Sequence, residues 1–193
     1  MAGSILLALK LRWSRDREYY KIVKHLFGFL PNNIELYKLA LIHRSASLFL
    51  EDGTPINNER LEFLGDAVIE AIVSDLFIEF PERDEGFLTQ LRSKIVSRST
   101  LNALGLRLGL DRHIIVQGGG NFAQKHLYGD ALEAMVGAMY LDKGYEFANR
   151  LFINEILRRY INLSSMTRTE TDFKSRLIEW GQKNKRRITF STV

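Results

Sequence analysis

Apolar residues recur three and four positions apart along nearly the whole chain, the spacing of one face of an α-helix. This periodicity predicts helices over 16–28, 33–43, 58–80, 86–104, 126–142, 145–161 and 171–184, and so an all-α fold. The punctuation agrees. "FLPNN" around Pro31 offers asparagine caps, Asn58 is placed to cap the third helix, and Gly105 to end the fourth. "EDGTPINN" and "QGGGN" read as loops, and alternation suited to a strand is confined to "RITFSTV" at the C-terminal end. The polar stretch "NLSSMTRTET", residues 162–171, reads as a linker.

Two helices break their own pattern. In "ERLEFLGDAVIEAIV" the pair Gly65-Asp66 sits at the centre, and in "HLYGDALEAMVGAMYLD" Gly129-Asp130 does the same. A helical glycine costs roughly 1 kcal/mol against alanine, and aspartate is also a poor helix former, so the repeated penalty asks for a common cause. At about 100° per residue Glu59, Glu62 and Asp66 share one face, opposite Leu61, Leu64, Val68 and Ile72. Val73, Phe77 and Phe80 extend the apolar character, which marks a central helix with acids at the edge of a core. Asp130 and Glu133, three apart, share a face of the second helix. If the glycines let the two backbones approach, Glu62, Asp66, Asp130 and Glu133 converge on one point.

Converging, part-buried carboxylates repel, and protonation or a bound cation is the usual relief. With no cysteine in the chain, thiolate metal sites and disulfides are excluded, and a reducing compartment suits the composition. Oxygen donors alone select a hard ion such as Mg²⁺ or Mn²⁺, which keeps waters and commonly meets a phosphate. Such an ion supports hydrolysis of a phosphate ester. The bland readings stay open beside this one: Glu59 and Glu62 also suit the positive end of a helix dipole, and Asp130 with Glu133 a solvated face. Glu70 reads as surface, His43 as a helix end, and His126 as a surface histidine rather than a ligand.

Charge adds a little. There are 27 Lys and Arg against 23 Asp and Glu, with the basic residues crowded into "KLRWSRDREYYK" and "KNKRR". A net charge of +4 is compatible with nucleic acid without demanding it. No apolar run reaches the length of a membrane span, and "SILLALKL" lacks the flanks of a signal peptide, so the chain reads as soluble and cytoplasmic.

"NNERLEFLGDAV", residues 57–68, resembles the signature of the ribonuclease III endonuclease domain. "LALIHRSAS" (39–47), "FPERDEGFLTQLRSKIVSRSTLNALG" (80–105) and "YGDALEAMVGAMYLDKGY" (128–145) resemble that family's other blocks in order, over about residues 16–161. The resemblance implies a helical homodimer that hydrolyses double-stranded RNA with Mg²⁺, Mn²⁺ substituting, to give 5′-phosphate and 3′-hydroxyl ends in processing of ribosomal and messenger precursors. It assigns Glu62, Asp66, Asp130 and Glu133 to metal binding, with Asp66 and Glu133 closest to catalysis. It also assigns Glu59 and Glu85 to the rim of the site and Phe63 to the dimer interface. "HLYGD" departs from the aliphatic-Ala-Asp run common in bacterial members. Lys94, Arg98 and Lys125, near the acids, are candidate phosphate contacts.

The expected organisation is an N-terminal extension (1–15), the endonuclease domain (16–161), the linker (162–171) and residues 172–193. This last segment, "DFKSRLIEWGQKNKRRITFSTV", resembles the first helix and strand of a double-stranded-RNA-binding domain. Two other classes fit the residues less fully. An all-α nucleotide pyrophosphohydrolase also uses acidic helices, but lacks the four ordered blocks, and a non-catalytic RNA-binding protein on this fold would be expected to have lost acids.

Overall fold

The structure, a computed structural model, describes residues 15–46, 48–117, 126–163, 166 and 173–190. The chain divides into two compact units, Met1–Ile161 and Asn162–Val193. In the first unit the helices are α1 (Arg17–Phe27), α2 (Ile34–Ala40), α3 (Glu59–Ser74), α4 (Glu85–Ile95), α5 (Arg98–Leu108), α6 (Leu127–Lys143) and α7 (Tyr145–Leu151). The last continues through a π-helical turn, Phe152–Leu157, into Arg158–Tyr160. The all-α expectation holds, with one addition: Leu48–Phe49 and Pro55–Ile56 pair as a two-residue antiparallel ribbon, too short for a period of two to be legible.

Helices α3 and α6 form the principal pair, with α5 packed on α6. Between them lie Ile69, Ile72, Leu132, Met135 and Met139, all fully buried; each such side chain stabilises the fold by about 1.5–3 kcal/mol relative to exposure. The C-terminal end of α6 is tied to the start of α2. Asp142 accepts from Asn32 N at 2.9 Å, Asn33 N at 2.8 Å and the Tyr37 hydroxyl at 3.1 Å. Burial, and then the Asp142 charge, push the Tyr37 hydroxyl's pKa well up. A second tie joins α7 to the end of α3, where Asp75 accepts from Tyr145 Oη at 2.6 Å and Asn149 Nδ2 at 2.8 Å.

Several predicted boundaries shift, each for a local reason. The expected helix 86–104 is two, because Ser97 caps a new start, its Oγ accepting from Thr100 N at 3.3 Å. Gly105 does not end that helix; it lies inside α5, and the left-handed Gly109 (φ 88°) terminates it. Asn58 does not cap α3. Asn57 accepts from Glu59 N at 3.1 Å, while Asn58 is buried and donates from Nδ2 to Ala40 O at 3.3 Å, pinning α3 to the end of α2. The α-helical part of 58–80 ends at Ser74, and a 3₁₀ segment, Asp75–Glu79, follows. The cap expected near Pro31 is Asn33, which accepts from Glu35 N at 3.2 Å.

In the second unit, α8 (Phe173–Lys183) is followed by a reversal at Lys185, which adopts φ 53°. Arg186 N donates to Gly181 O at 2.7 Å, and the Arg186 guanidinium lies 5.6 Å from the Trp180 ring. Residues 186–190 make no strand ladder among the described residues, so the strand predicted in "RITFSTV" is not formed there. Of the linker only residues 162, 163 and 166 are described, and of the N-terminal extension only Arg15.

Candidate metal centre

The two Gly-Asp pairs do not share one cause: Gly65 lies at the crossing of α3 and α6, where its partner on α6 is Gly137, whereas Gly129 packs against Leu101 and Asn102 of α5. A Cβ on Gly65 would lie 2.5 Å from the carbonyl carbon of Glu133, and one on Gly137 would lie 3.2 Å from Gly65 N. The backbones meet directly, which only glycine allows. The approach brings the acid stripe of α3 against that of α6: Glu62, Asp130 and Glu133 each offer a carboxylate oxygen within 4.8 Å of the others. All three are half-buried.

Asp66 is not part of that group. It is exposed, one turn after Glu62 on α3, yet its charge is the largest electrostatic influence on Glu133 after burial itself. The expected four-acid convergence is thus a three-acid cluster with Asp66 at its margin.

Burial, then Asp66, Glu62 and Asp130, push Glu133 up to about 8. Glu62 is raised by burial and then by Asp130, and Asp130 is raised by burial. Three carboxyls displaced upward together describe a site short of positive charge. The compensating cations lie around it. Arg98, exposed in the first turn of α5, acts favourably on all three acids, and Arg44 on Glu62 and Asp130. Arg44 also pairs with Glu59, Nη1 to Oε1 3.4 Å, while Asn57 Nδ2 donates to Glu59 Oε2 at 3.1 Å. Glu59 is thus held by neighbours and lies outside the three-acid group.

The remaining candidates are dispersed. Glu85, at the start of α4, lines a separate groove of about 230 Å³ with Val73, Phe77, Leu88 and Arg92. Phe63 is 82% exposed, unusual for a large apolar side chain on a central helix. Lys94 is half-buried near the end of α4. Lys125 lies outside the described residues. His126 occupies the N-cap position of α6 and is not in the acid group.

Sequence reasoning passed over Arg44 and took His43 only as a helix end. Ser45 holds the His43 ring at Nδ1, with its N at 3.2 Å and its Oγ at 2.8 Å. Burial lowers the His43 pKa, and Asp130 is the strongest charge opposing that. Both residues stood in the quoted block "LIHRSAS", but nothing in their spacing reveals that their loop faces α6.

An all-α protein with oxygen donors gathered where two helices touch is a class defined by fold and site together: a helical scaffold able to hold a divalent cation. Within that class the particulars are given by similarity. Residues 33–160 match the Ribonuclease-III-like family, and the chain belongs to that family. The "Ribonuclease 3" of Bacteroides thetaiotaomicron is 46% identical over 186 residues, covering 96% of this chain and 60% of that protein. The "Ribonuclease 3" of Phocaeicola vulgatus is 43% identical over 194 residues, 100% of this chain and 63% of that protein. This chain therefore spans about three fifths of the length of these relatives. Among solved structures, the nuclease domain of ribonuclease III from Campylobacter jejuni superposes with a TM-score of 0.63 at 33% identity, covering 72% of this chain and 96% of that one. That structure is described as flexible in the region involved in dimer formation.

Proposed function

We propose that the protein is an endoribonuclease that hydrolyses phosphodiester bonds of double-stranded RNA with a bound divalent cation, Mg²⁺ by preference. The observation that carries this reading is the three-carboxylate cluster of Glu62, Asp130 and Glu133, within 4.8 Å of one another, in a chain of the Ribonuclease-III-like family. The donor set fits the ion: all oxygen, with burial and mutual repulsion holding the cluster's acids above their ordinary range. When bound, the ion would supply charge stabilisation at a phosphoryl oxygen and activation of water.

The chain's own residues have separable roles. Glu62, Asp130 and Glu133 hold the cation, with Asp66 beside them and Glu59 and Glu85 as accessory acids. Asp66 and Glu133 are the residues on which cleavage depends most. Arg98, its guanidinium exposed beside the cluster, contacts a backbone phosphate, as do Lys94 and Lys125. Such contacts position a duplex without reading its bases and weaken steeply with salt. Phe63 enters a second copy of the chain, and the C. jejuni relative's dimer-forming region supports this homodimer. Residues 172–193 begin a double-stranded-RNA-binding module. The cell compartment is the cytoplasm; among the described residues no helix is long and apolar enough to cross a membrane.

The test is cleavage of an end-labelled RNA duplex by the purified protein, with Mg²⁺ and with excess chelator, reading the end chemistry. Scission to 5′-phosphate and 3′-hydroxyl ends only with the ion is expected, and Asp66→Asn and Glu133→Gln should bind the duplex uncut. Cutting that persists in chelator, or that survives both substitutions, would overturn the assignment.

A further inference from the structure

Among the described residues, the N-terminal flank of helix α6 gives its first turn no side-chain cap. His126 stands at its N-cap, and the histidine side chain bonds none of the first-turn amides. Asp130 N is bonded to His126 O at 3.0 Å, so the amides before it need acceptors from elsewhere. A residue remote in sequence takes two of them: Oδ1 of Asn102, on α5, accepts from Tyr128 N at 3.1 Å and Gly129 N at 3.2 Å. The approach needs bare backbone on both sides. A Cβ on Gly129 would stand 3.1 Å from Asn102 N, and one on Gly105 would stand 2.7 Å from the carbonyl carbon of Tyr128.

We propose that Asn102 is a positioning residue of the acid cluster: by capping α6 from α5 it holds the first turn of α6, which carries Asp130, and fixes the offset of that helix against Arg98 on α5. An ordinary cap steadies one helix, whereas a cap lent by a neighbour also fixes the axial offset between two. Asp130 follows Gly129 directly and lies in the first turn of α6, the part of a helix that frays most readily. Arg98 lies one turn before Asn102, so the same contact brings its charge over the start of α6. Groups that orient metal-ligating side chains are typically worth ~10–100-fold in metal affinity or activity.

The catalytic part of this inference rests on the proposed function, and three measurements keep the two separate. Mn²⁺ affinity is titrated without RNA, amide exchange is followed at Tyr128 and Gly129, and kcat and KM are measured on duplex RNA. Asn102→Ala should weaken Mn²⁺ binding about tenfold, unprotect both amides, and lower kcat about tenfold with little change in KM. Asn102→Asp, which keeps an acceptor oxygen in place, should restore ion affinity and protection. Tyr145→Phe, which removes a bond to Asp75 at the end of α3 away from Glu62, serves as the destabilised control and should leave ion affinity and kcat at wild-type values. The inference is overturned if Asn102→Ala loses thermal stability as Tyr145→Phe does while keeping wild-type ion affinity and kcat. Should the alanine variant not fold, Asn102→Ser, whose hydroxyl reaches one amide at most, is judged by the same criteria. A wild-type protein that binds Mn²⁺ but never cuts RNA would sink the proposed function and leave the ion and exchange measurements to decide this one.

Discussion

Gly65 and Glu133 meet backbone to backbone, with the carbonyl group of Glu133 occupying the space a side chain at position 65 would need. That contact sets how closely α3 and α6 approach, and so the spacing of the carboxylates the two helices carry.

Gly65→Ala therefore reverses the usual sign of a helical glycine substitution. Propensity alone would stabilise by up to ~1 kcal/mol, but the clash is with backbone that cannot turn aside, and overpacking of this kind costs typically ~1–3 kcal/mol. A lower Tm and weaker Mn²⁺ binding are expected. Gly86→Ala is the contrast: its Cβ would meet only Asp84 Oδ1 at 3.6 Å, an ordinary contact in the first turn of α4, so thermal unfolding should show no loss there.

Glu133 makes the cation-free protein sensitive to pH. A folded-state carboxyl at about 8, against an ordinary value of 4.5, keeps a proton that the unfolded chain has already released. Its contribution to stability is present below about pH 4.5 and is lost as pH rises through about 8. Glu62 and Asp130, raised for the same reason, act with the same sign. Thermal melts in chelator should show Tm falling from pH 5 to pH 8. Glu133→Gln should flatten that fall, and a melt of this variant at pH 8 that is no more stable than wild type would contradict the assignment.

Mg²⁺ should reverse the same loss. An ion that binds only the folded state at 100 times its Kd stabilises by ~2.7 kcal/mol, and because the ligands must be deprotonated the gain should grow with pH. Calorimetric titration in two buffers of different ionisation heat should show protons released on binding, and a release of none would count against a protonated Glu133 in the free protein.

Asp142→Ala should be the most damaging change away from the cluster. The carboxylate side chain is 2% exposed and accepts from two backbone amides and the Tyr37 hydroxyl. Its removal strands the buried Tyr37 hydroxyl, at ~1–3 kcal/mol, and frees the amides of the exposed Asn32 and Asn33 to water. Chemical denaturation should show a loss of ~1–3 kcal/mol, while Tyr37→Phe, which strands no donor, should cost less.

Phe63→Arg tests the proposed dimer. Sedimentation of the variant should shift from dimer to monomer at micromolar concentration, with circular dichroism unchanged because the side chain is 82% exposed in the single chain. A variant that sediments like wild type would remove Phe63 from the interface.

Period and punctuation carried most of the helices, because an amphipathic helix writes its buried face into the order of its residues. The errors fall where a partner outweighs the local signal. Gly105 looks like a helix end but is helical, since α6 leaves no room beside it. Asn58 looks like a cap but is buried against Ala40 O, leaving the cap to Asn57. The ribbon of residues 48–49 and 55–56 is too short to show alternation.

The sequence by itself determined the helical class, the acidic faces of α3 and α6, and Gly65 as a point of close approach, because each is a matter of residue type and spacing along one helix; that Gly137, and not Gly129, is its partner on α6 is a matter of packing. Only the tertiary structure decided which acids do meet: Glu62, Asp130 and Glu133 within 4.8 Å, Asp66 outside. Only it revealed that Asn102 caps a helix that begins 25 residues further on. Distances between helices depend on their axial offset and crossing, which are set by backbone contact at Gly65, Gly105 and Gly137, and no period along a single helix encodes them.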